Sequence, residues 1–116
     1  MKKVIGILAV AILFSFTLAT NPVFKTSLTL TVRDELGNTV EGASVKLFET
    51  EEDYNKEVNP VAHATTDAKG VAKFKGIKPI AYYVLVRKGD KDNAGGGEKI
   101  GALEEGKFNK TTVVIQ

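Results

Sequence analysis

The chain has 116 residues, enough for one domain with a packed core, and it contains no cysteine, so we expect neither a disulfide nor an acylated-cysteine anchor. Lys2 and Lys3 lie at the N-terminus, and without them the 16 basic residues fall to the number of the acidic residues, 14. A mature chain of zero net charge predicts no nucleic-acid partner and no anionic-membrane partner, because both favour clustered basic residues.

Residues 1–19 have the pattern of a secretory signal, in which two lysines precede an apolar run that ends in small residues. The run is shorter than the roughly 20 apolar residues of a membrane-spanning helix. We predict a signal helix cleaved after Ala19, no stable membrane span after its removal, and a secreted or periplasmic protein. An uncleaved anchor is the alternative. Residues 20–26, which include Pro22, are predicted to be a linker before a single domain at residues 27–116.

Alternating apolar and polar residues predict strands through most of that domain. Residues 27–33 alternate strictly, so Leu28, Leu30 and Val32 face the core of a one-sided antiparallel sheet. Residues 81–87 are apolar on both faces, which is typical of a central strand covered on both sides. Further strands are predicted at residues 43–47, 61–66, 71–77 and 110–115.

The connections carry more specific signals. Asp67 and Gly70 predict a tight turn in which the carboxylate caps the turn and glycine takes a positive φ, and we interpret residues 66–77 as a central hairpin. Residues 48–60 form an acidic insertion, with one or two helical turns around Tyr54 that are too short to be stable without docking. Residues 89–106 lack periodicity, and three consecutive glycines predict high backbone freedom there.

Several short motifs follow one another in a fixed order between residues 28 and 88. They are Asp34 and Gly37 in a first turn, the Gly42-Ala43-Ser44-Val45 strand start, Thr66-Asp67 with Gly70 and Phe74, and then Pro79 and Tyr83. The ordered set resembles the carboxypeptidase-regulatory-like family of prealbumin-like domains, which are similar to transthyretin-like and Cna-B-like domains. The resemblance implies a seven-stranded Greek-key antiparallel β-sandwich of the kind appended to bacterial peptidases, receptors and surface proteins.

Enzymatic sites are not evident in the sequence. The one histidine, His63, lies on a predicted strand without a cysteine or a neighbouring base, so no nucleophilic pair is formed. The transthyretin-like hydrolases that share the sandwich end in Tyr-Arg-Gly-Ser, whereas this chain ends in Val-Val-Ile-Gln. We therefore predict a protein that is not an enzyme and that binds no cofactor.

A calcium loop is only partly matched. Asp90, Asp92 and Asn93 have the spacing of early calcium ligands, but Ala94 replaces the next one and Gly101 stands where a glutamate is required. We predict no metal site, with a non-helical calcium site that also uses Glu98 as the alternative.

Domains similar to the Cna type can carry an isopeptide bond between lysine and asparagine. The residues for it here would be Lys25 or Lys46 with Asn109 and a buried carboxylate. No acidic residue occupies an inward position of a predicted strand, so we expect no crosslink.

Together these patterns predict an exported, non-enzymatic module that binds or braces a protein or polysaccharide of the cell envelope or extracellular space. The candidate surfaces are the acidic insertion, an exposed sheet edge and the loop of residues 89–106, whose candidate binding residues are Asp92, Asn93, Gly95, Gly96 and Gly97. The alternative is a soluble protein that binds a small ligand, or a carbohydrate with calcium.

Overall fold

The computed structural model describes residues 25–116, so the predicted signal and most of the linker lie outside the described residues. The described part contains eight strands and one helix. In chain order they are β1 (Ser27–Asp34), β2 (Ser44–Phe48), α1 (Glu51–Lys56), β3 (Ala62–Thr65), β4 (Val71–Lys75), β5 (Tyr82–Lys88), β6 (Lys91–Asp92), β7 (Lys99–Ile100) and β8 (Phe108–Ile115). None of the described helices is long and apolar enough to cross a membrane.

Two sheets pack face to face around one core. The small sheet has the order β4-β1-β8, and the large sheet has the order β3-β2-β5-β6, with β7 also paired to β5. Leu28, Leu30 and Val32 are buried as the alternation predicted, and they pack against Val84 and Val86 of the opposite sheet in the same apolar cluster. The predicted all-β sandwich is confirmed.

The architecture differs from the predicted one in two details. Residues 89–106, predicted to be irregular, contribute the two-residue strands β6 and β7, so the described chain has eight strands. The pairing of β1 with β8 is parallel rather than antiparallel, with Ser27 opposite Phe108 and Asp34 opposite Ile115. Alternation identifies the buried face of each strand, but it does not identify the neighbouring strand or its direction.

The predicted turn at Asp67 is present, but it does not form a hairpin. The Asp67 carboxylate accepts hydrogen bonds from the N–H groups of Lys69 and Val71, and Gly70 has a φ of +77°. The strand before the turn, β3, belongs to the large sheet, whereas β4 belongs to the small one. The turn therefore carries the chain from one sheet to the other, and the prediction of a central hairpin is wrong.

A second crossing, between β1 and β2, meets the first at Thr66. The buried Thr66 hydroxyl donates to the C=O of Val40 and accepts from the N–H of Ala43. The N–H of Gly42, which lies between β1 and β2, donates to the C=O of Thr66. One threonine thus joins both crossings where the chain changes sheets.

Candidate interaction surface

The loop of residues 93–98 is anchored by a buried asparagine. The side-chain oxygen of Asn93 accepts from the N–H of Val86 at 2.9 Å, and its amide nitrogen donates to the C=O of Val84 at 2.8 Å. In a continuous sheet these two backbone groups of β5 would bond to a neighbouring strand. Between β6 and β7 the Asn93 side chain provides those hydrogen bonds instead. Asn93 is 1% exposed. It therefore anchors the loop and does not lie on its surface.

The tip of the loop is exposed but held by hydrogen bonds. The N–H of Ala94 donates to the Asp92 carboxylate, and the N–H of Gly95 donates to the Glu98 carboxylate. A Cβ built on Gly95, Gly96 or Gly97 would meet nothing within 4 Å, so this tip has open space around it. The predicted backbone freedom is thus limited at the base of the loop by Asn93 and at the tip by two carboxylates.

Helix α1 packs on the outer face of the large sheet, and the ring of Tyr54 makes the contact. The ring is 5.9 Å from that of Phe48 in an edge-on arrangement and 6.0 Å from that of Tyr83. Phe48 is fully buried although it points away from the sandwich core, because the helix covers it. The six-residue helix is stabilised by this docking, as its length predicted.

Tyr54 also connects the helix to the glycine loop. Burial raises the pKa of the Tyr54 phenol, and the charge of Glu98 and a side-chain hydrogen bond with Glu98 raise it further. Because Glu98 accepts from the N–H of Gly95, one carboxylate joins the helix residue to the tip of the loop. The acidic insertion and the loop, which the sequence presented as separate candidates, are therefore neighbours.

Two further contacts fix this arrangement. The Glu57 carboxylate, just after the helix, accepts two hydrogen bonds from the Arg87 guanidinium at 3.0 and 3.1 Å. The hydrogen bond with Arg87 lowers the pKa of Glu57, and the same bond raises the pKa of Arg87. Lys99 of β7 lies 5.4 Å from the centre of the Tyr83 ring, in cation–π contact.

We call α1, Tyr83 and residues 92–99 the helix–loop surface. The sequence placed Tyr54 in the predicted helical turns and Tyr83 in a predicted strand, and no local pattern indicated their contact. The surface includes the acidic first turn of α1, Glu51 to Asp53, and the exposed glycines of the loop.

The candidate calcium ligands do not share one environment. Asp90 is exposed at the turn after β5, Asp92 caps Ala94, and the oxygen of Asn93 binds the backbone of β5. Within residues 25–116 no group of three or more histidine, cysteine or acidic side chains could hold a metal ion. The calcium alternative stays untested.

The other singled-out residues lie apart from this surface. His63 is exposed on β3 opposite Lys46, and Asn109 lies on β8 at the far end of the small sheet. The Asn109 amide donates to the C=O groups of Ser27 and Glu104, and its oxygen accepts from the N–H of Glu104. Among the described residues, the buried polar side chains include no carboxylate.

Strand β8 leaves part of its backbone unpaired. The N–H of Ser27 donates to the C=O of Lys107. Because β1 and β8 are parallel, the N–H and C=O groups of every second β8 residue therefore face away from β1. The outward backbone groups of Gln116 pair with Asp92. Within residues 25–116 the corresponding groups of Lys110, Thr112 and Val114 have no partner strand, so this edge is open.

No protein-family model matches the chain. No curated protein is detectably similar to it in sequence. Solved structures do share its fold. The pilus 2b backbone protein of group B streptococcus matches with a TM-score of 0.58 and 18% identity, over 78% of this chain and 40% of that chain.

Two proteins of Bacillus species match similarly. The TIE protein of Bacillus anthracis has a TM-score of 0.56 and 20% identity, over 79% of this chain and 17% of that one. The major pilin subunit BcpA of Bacillus cereus has a TM-score of 0.51 and 19% identity, over 80% and 30%. The chain thus spans less than half the length of these proteins. The likeness confirms the β-sandwich fold that the sequence motifs predicted.

Proposed function

We propose that this chain is an exported, non-enzymatic structural module that docks a protein of the cell envelope or extracellular space through its helix–loop surface. The observation that carries the proposal is the position of Tyr54, which packs between Phe48 and Tyr83 and is linked through Glu98 to the glycine tip. A short helix and a loop held in one arrangement offer a preorganised surface, which lowers the entropic cost of binding.

The comparisons support the structural part of this proposal. Two of the solved proteins with this fold are named as a pilus backbone protein and a major pilin subunit. The predicted signal at residues 1–19 supports export. The absence of a nucleophile–base pair in the sequence supports a non-enzymatic role, since His63 is the one histidine of the chain.

The docking surface can be tested with a matched pair of glycine substitutions. Neither Gly96 nor Gly101 has a positive φ, and a Cβ at either position would meet nothing within 4 Å, so glutamine is tolerated at both. Gly96→Gln places a side chain on the tip of the helix–loop surface, whereas Gly101→Gln places one outside it.

The experiment is crosslinking of intact producing cells, followed by capture of the protein and mass spectrometry of what it holds. We expect one partner in near-equal amount with the unaltered protein and with Gly101→Gln, and loss of that partner with Gly96→Gln. Recovery of the same partner with Gly96→Gln would contradict docking through the loop. Recovery of no partner with any of the proteins would contradict the docking function itself.

The open edge of β8 provides a second candidate docking mode, addition of a strand from the partner. The N–H of Thr112 points away from β1, so Thr112→Pro removes a free donor while the pairing with β1 remains. Loss of the captured partner with Thr112→Pro but not with Gly96→Gln would assign docking to the edge. The opposite result would assign it to the helix–loop surface.

A further inference from the structure

The outer face of the small sheet carries an unexpected concentration of positive charge. The register places Lys75, Ser27 and Phe108 in one row across β4, β1 and β8, and Lys73, Thr29 and Lys110 in the next. Lys25 lies just before β1. No acidic residue occupies an outward position on these three strands. We call Lys25, Lys73, Lys75 and Lys110 the lysine face.

The four lysines keep their charges available. Among the described residues, the ion pairs join Lys56 to Glu52, Lys78 to Glu49 and Arg87 to Glu57, and none involves the lysine face. Lys73 interacts electrostatically with Asp67 and contributes to the lowered pKa of Asp67, after the hydrogen bonds from Val71 and Lys69. An uncompensated group of like charges is a potential anion-binding surface.

The geometry of the face favours a chain over a single ion. Lys73 and Lys75 are two residues apart on one strand, about 7 Å, and Lys73 and Lys110 are separated by two strand spacings, about 10 Å. A groove of about 380 Å³ lies beside Lys25, Lys73 and Lys75, with Ser27 and Thr29 in its lining and an aromatic ring, that of Phe108, at its side. The described side chains make no hydrogen bonds to the hydroxyls of Ser27 and Thr29.

We propose that the lysine face binds an acidic polysaccharide, a linear glycan with a carboxylate on its repeating units. The lysines complement the repeated negative charge, and the hydroxyls in the groove match the alcohol groups of a sugar. A recessed groove accepts a flexible chain, whereas a flat lipid surface does not enter it. This site lies on the opposite side of the sandwich from the helix–loop surface and is independent of it.

The test is calorimetric titration of the purified protein with polygalacturonate, with neutral dextran and inorganic polyphosphate of similar length, and with anionic lipid vesicles. We expect polygalacturonate to bind and dextran not to bind. The triple variant Lys73→Gln, Lys75→Gln, Lys110→Gln should weaken binding about tenfold or more, since each exposed charge contributes a modest amount. Added salt should weaken the binding of the unaltered protein by screening the same charges.

A second triple variant, Lys56→Gln, Lys88→Gln, Lys91→Gln, removes the same charge from other parts of the surface and should bind within about twofold of the unaltered protein. Equal losses in both triples would overturn the proposal, because net charge alone would explain the binding. Tighter binding to polyphosphate or to vesicles would also overturn it, and would assign the face to phosphate groups or to a membrane. Salt-sensitive self-association abolished by the first triple would assign the face to a second copy of the chain.

Discussion

The two sheets of the sandwich share one core, but their outer faces differ: one is covered by a helix and the other is exposed. On the large sheet, Phe48 points outward and is fully buried, because the acidic insertion folds back over it. On the small sheet, Phe108 points outward and is 76% exposed. A short insertion, rather than the sheet itself, therefore decides which outer face is covered by a further apolar layer.

The largest expected effect comes from removing the covered aromatic ring. Phe48→Ala should lower the free energy of unfolding by about 3–5 kcal/mol, because it leaves a cavity beneath the helix. Phe108→Ala should lower it by less than about 1 kcal/mol, since an exposed ring contributes little to burial. Urea unfolding of both variants checks the comparison. Similar losses in the two variants would show that the outer faces are equally structural.

The next largest effect on stability is expected at Asn93, which anchors the loop. Asn93→Ala leaves the N–H of Val86 and the C=O of Val84 buried without partners, and we expect a loss of about 2–4 kcal/mol because each stranded group costs about 1–3 kcal/mol. The matched control is Asn55→Ala on the exposed side of α1, which should change stability by less than about 0.5 kcal/mol. An Asn93→Ala loss no larger than the control would contradict the anchoring role.

A smaller effect is expected at the link between helix and loop. Tyr54→Phe keeps the ring between Phe48 and Tyr83 but removes the phenol oxygen that interacts with Glu98, at a cost of about 0.5–1.5 kcal/mol. Because the pKa of Tyr54 is raised in the folded protein, its contribution is present below the ordinary tyrosine pKa of about 10 and is lost as the pH rises through the folded value. Unfolding curves across alkaline pH should therefore decline less steeply for Tyr54→Phe.

The smallest effect concerns the ion pair that holds the end of the helix. The pKa of Glu57 is lowered by Arg87, so its contribution is present above its ordinary pKa of 4.5 and is lost as the pH falls through the folded value. Both partners are partly exposed, so the contribution is under about 1 kcal/mol. Glu57→Gln should remove this part of the acid decline. An unchanged pH profile would show that the pair does not stabilise the covered face.

Local patterns in the sequence were sufficient for the strands, the Asp67 turn and the docked helix, because each depends on neighbouring residues. The parallel pairing of β1 with β8 was not predictable in this way, since about 80 residues separate Ser27 from Phe108 and alternation does not encode the partner. The role of Asn93 was also hidden. Asn93 follows an aspartate in a polar stretch, and that local pattern is the same for a buried anchor and for an exposed binding residue.

The distribution of charge over the surface was only partly predictable from the sequence. The acidic residues of α1 are neighbours in the sequence and were predicted as an acidic insertion, whereas the lysines gather on one sheet face only because β4, β1 and β8 pair. The stacking of Tyr54 with Tyr83 depends on the same long-range arrangement. Residues that act within a turn were predictable, and residues that act across sheets were not.

Hydrogen exchange of the unaltered protein and of Tyr54→Phe tests most directly whether helix and loop form one surface. We expect exchange to rise together in α1 and in residues 94–98, while the amides of β1 and β4 remain unchanged. That joint response follows from Glu98, which contacts both Tyr54 and the N–H of Gly95. A response confined to the helix, with the loop unaffected, would contradict the account and leave two separate surfaces.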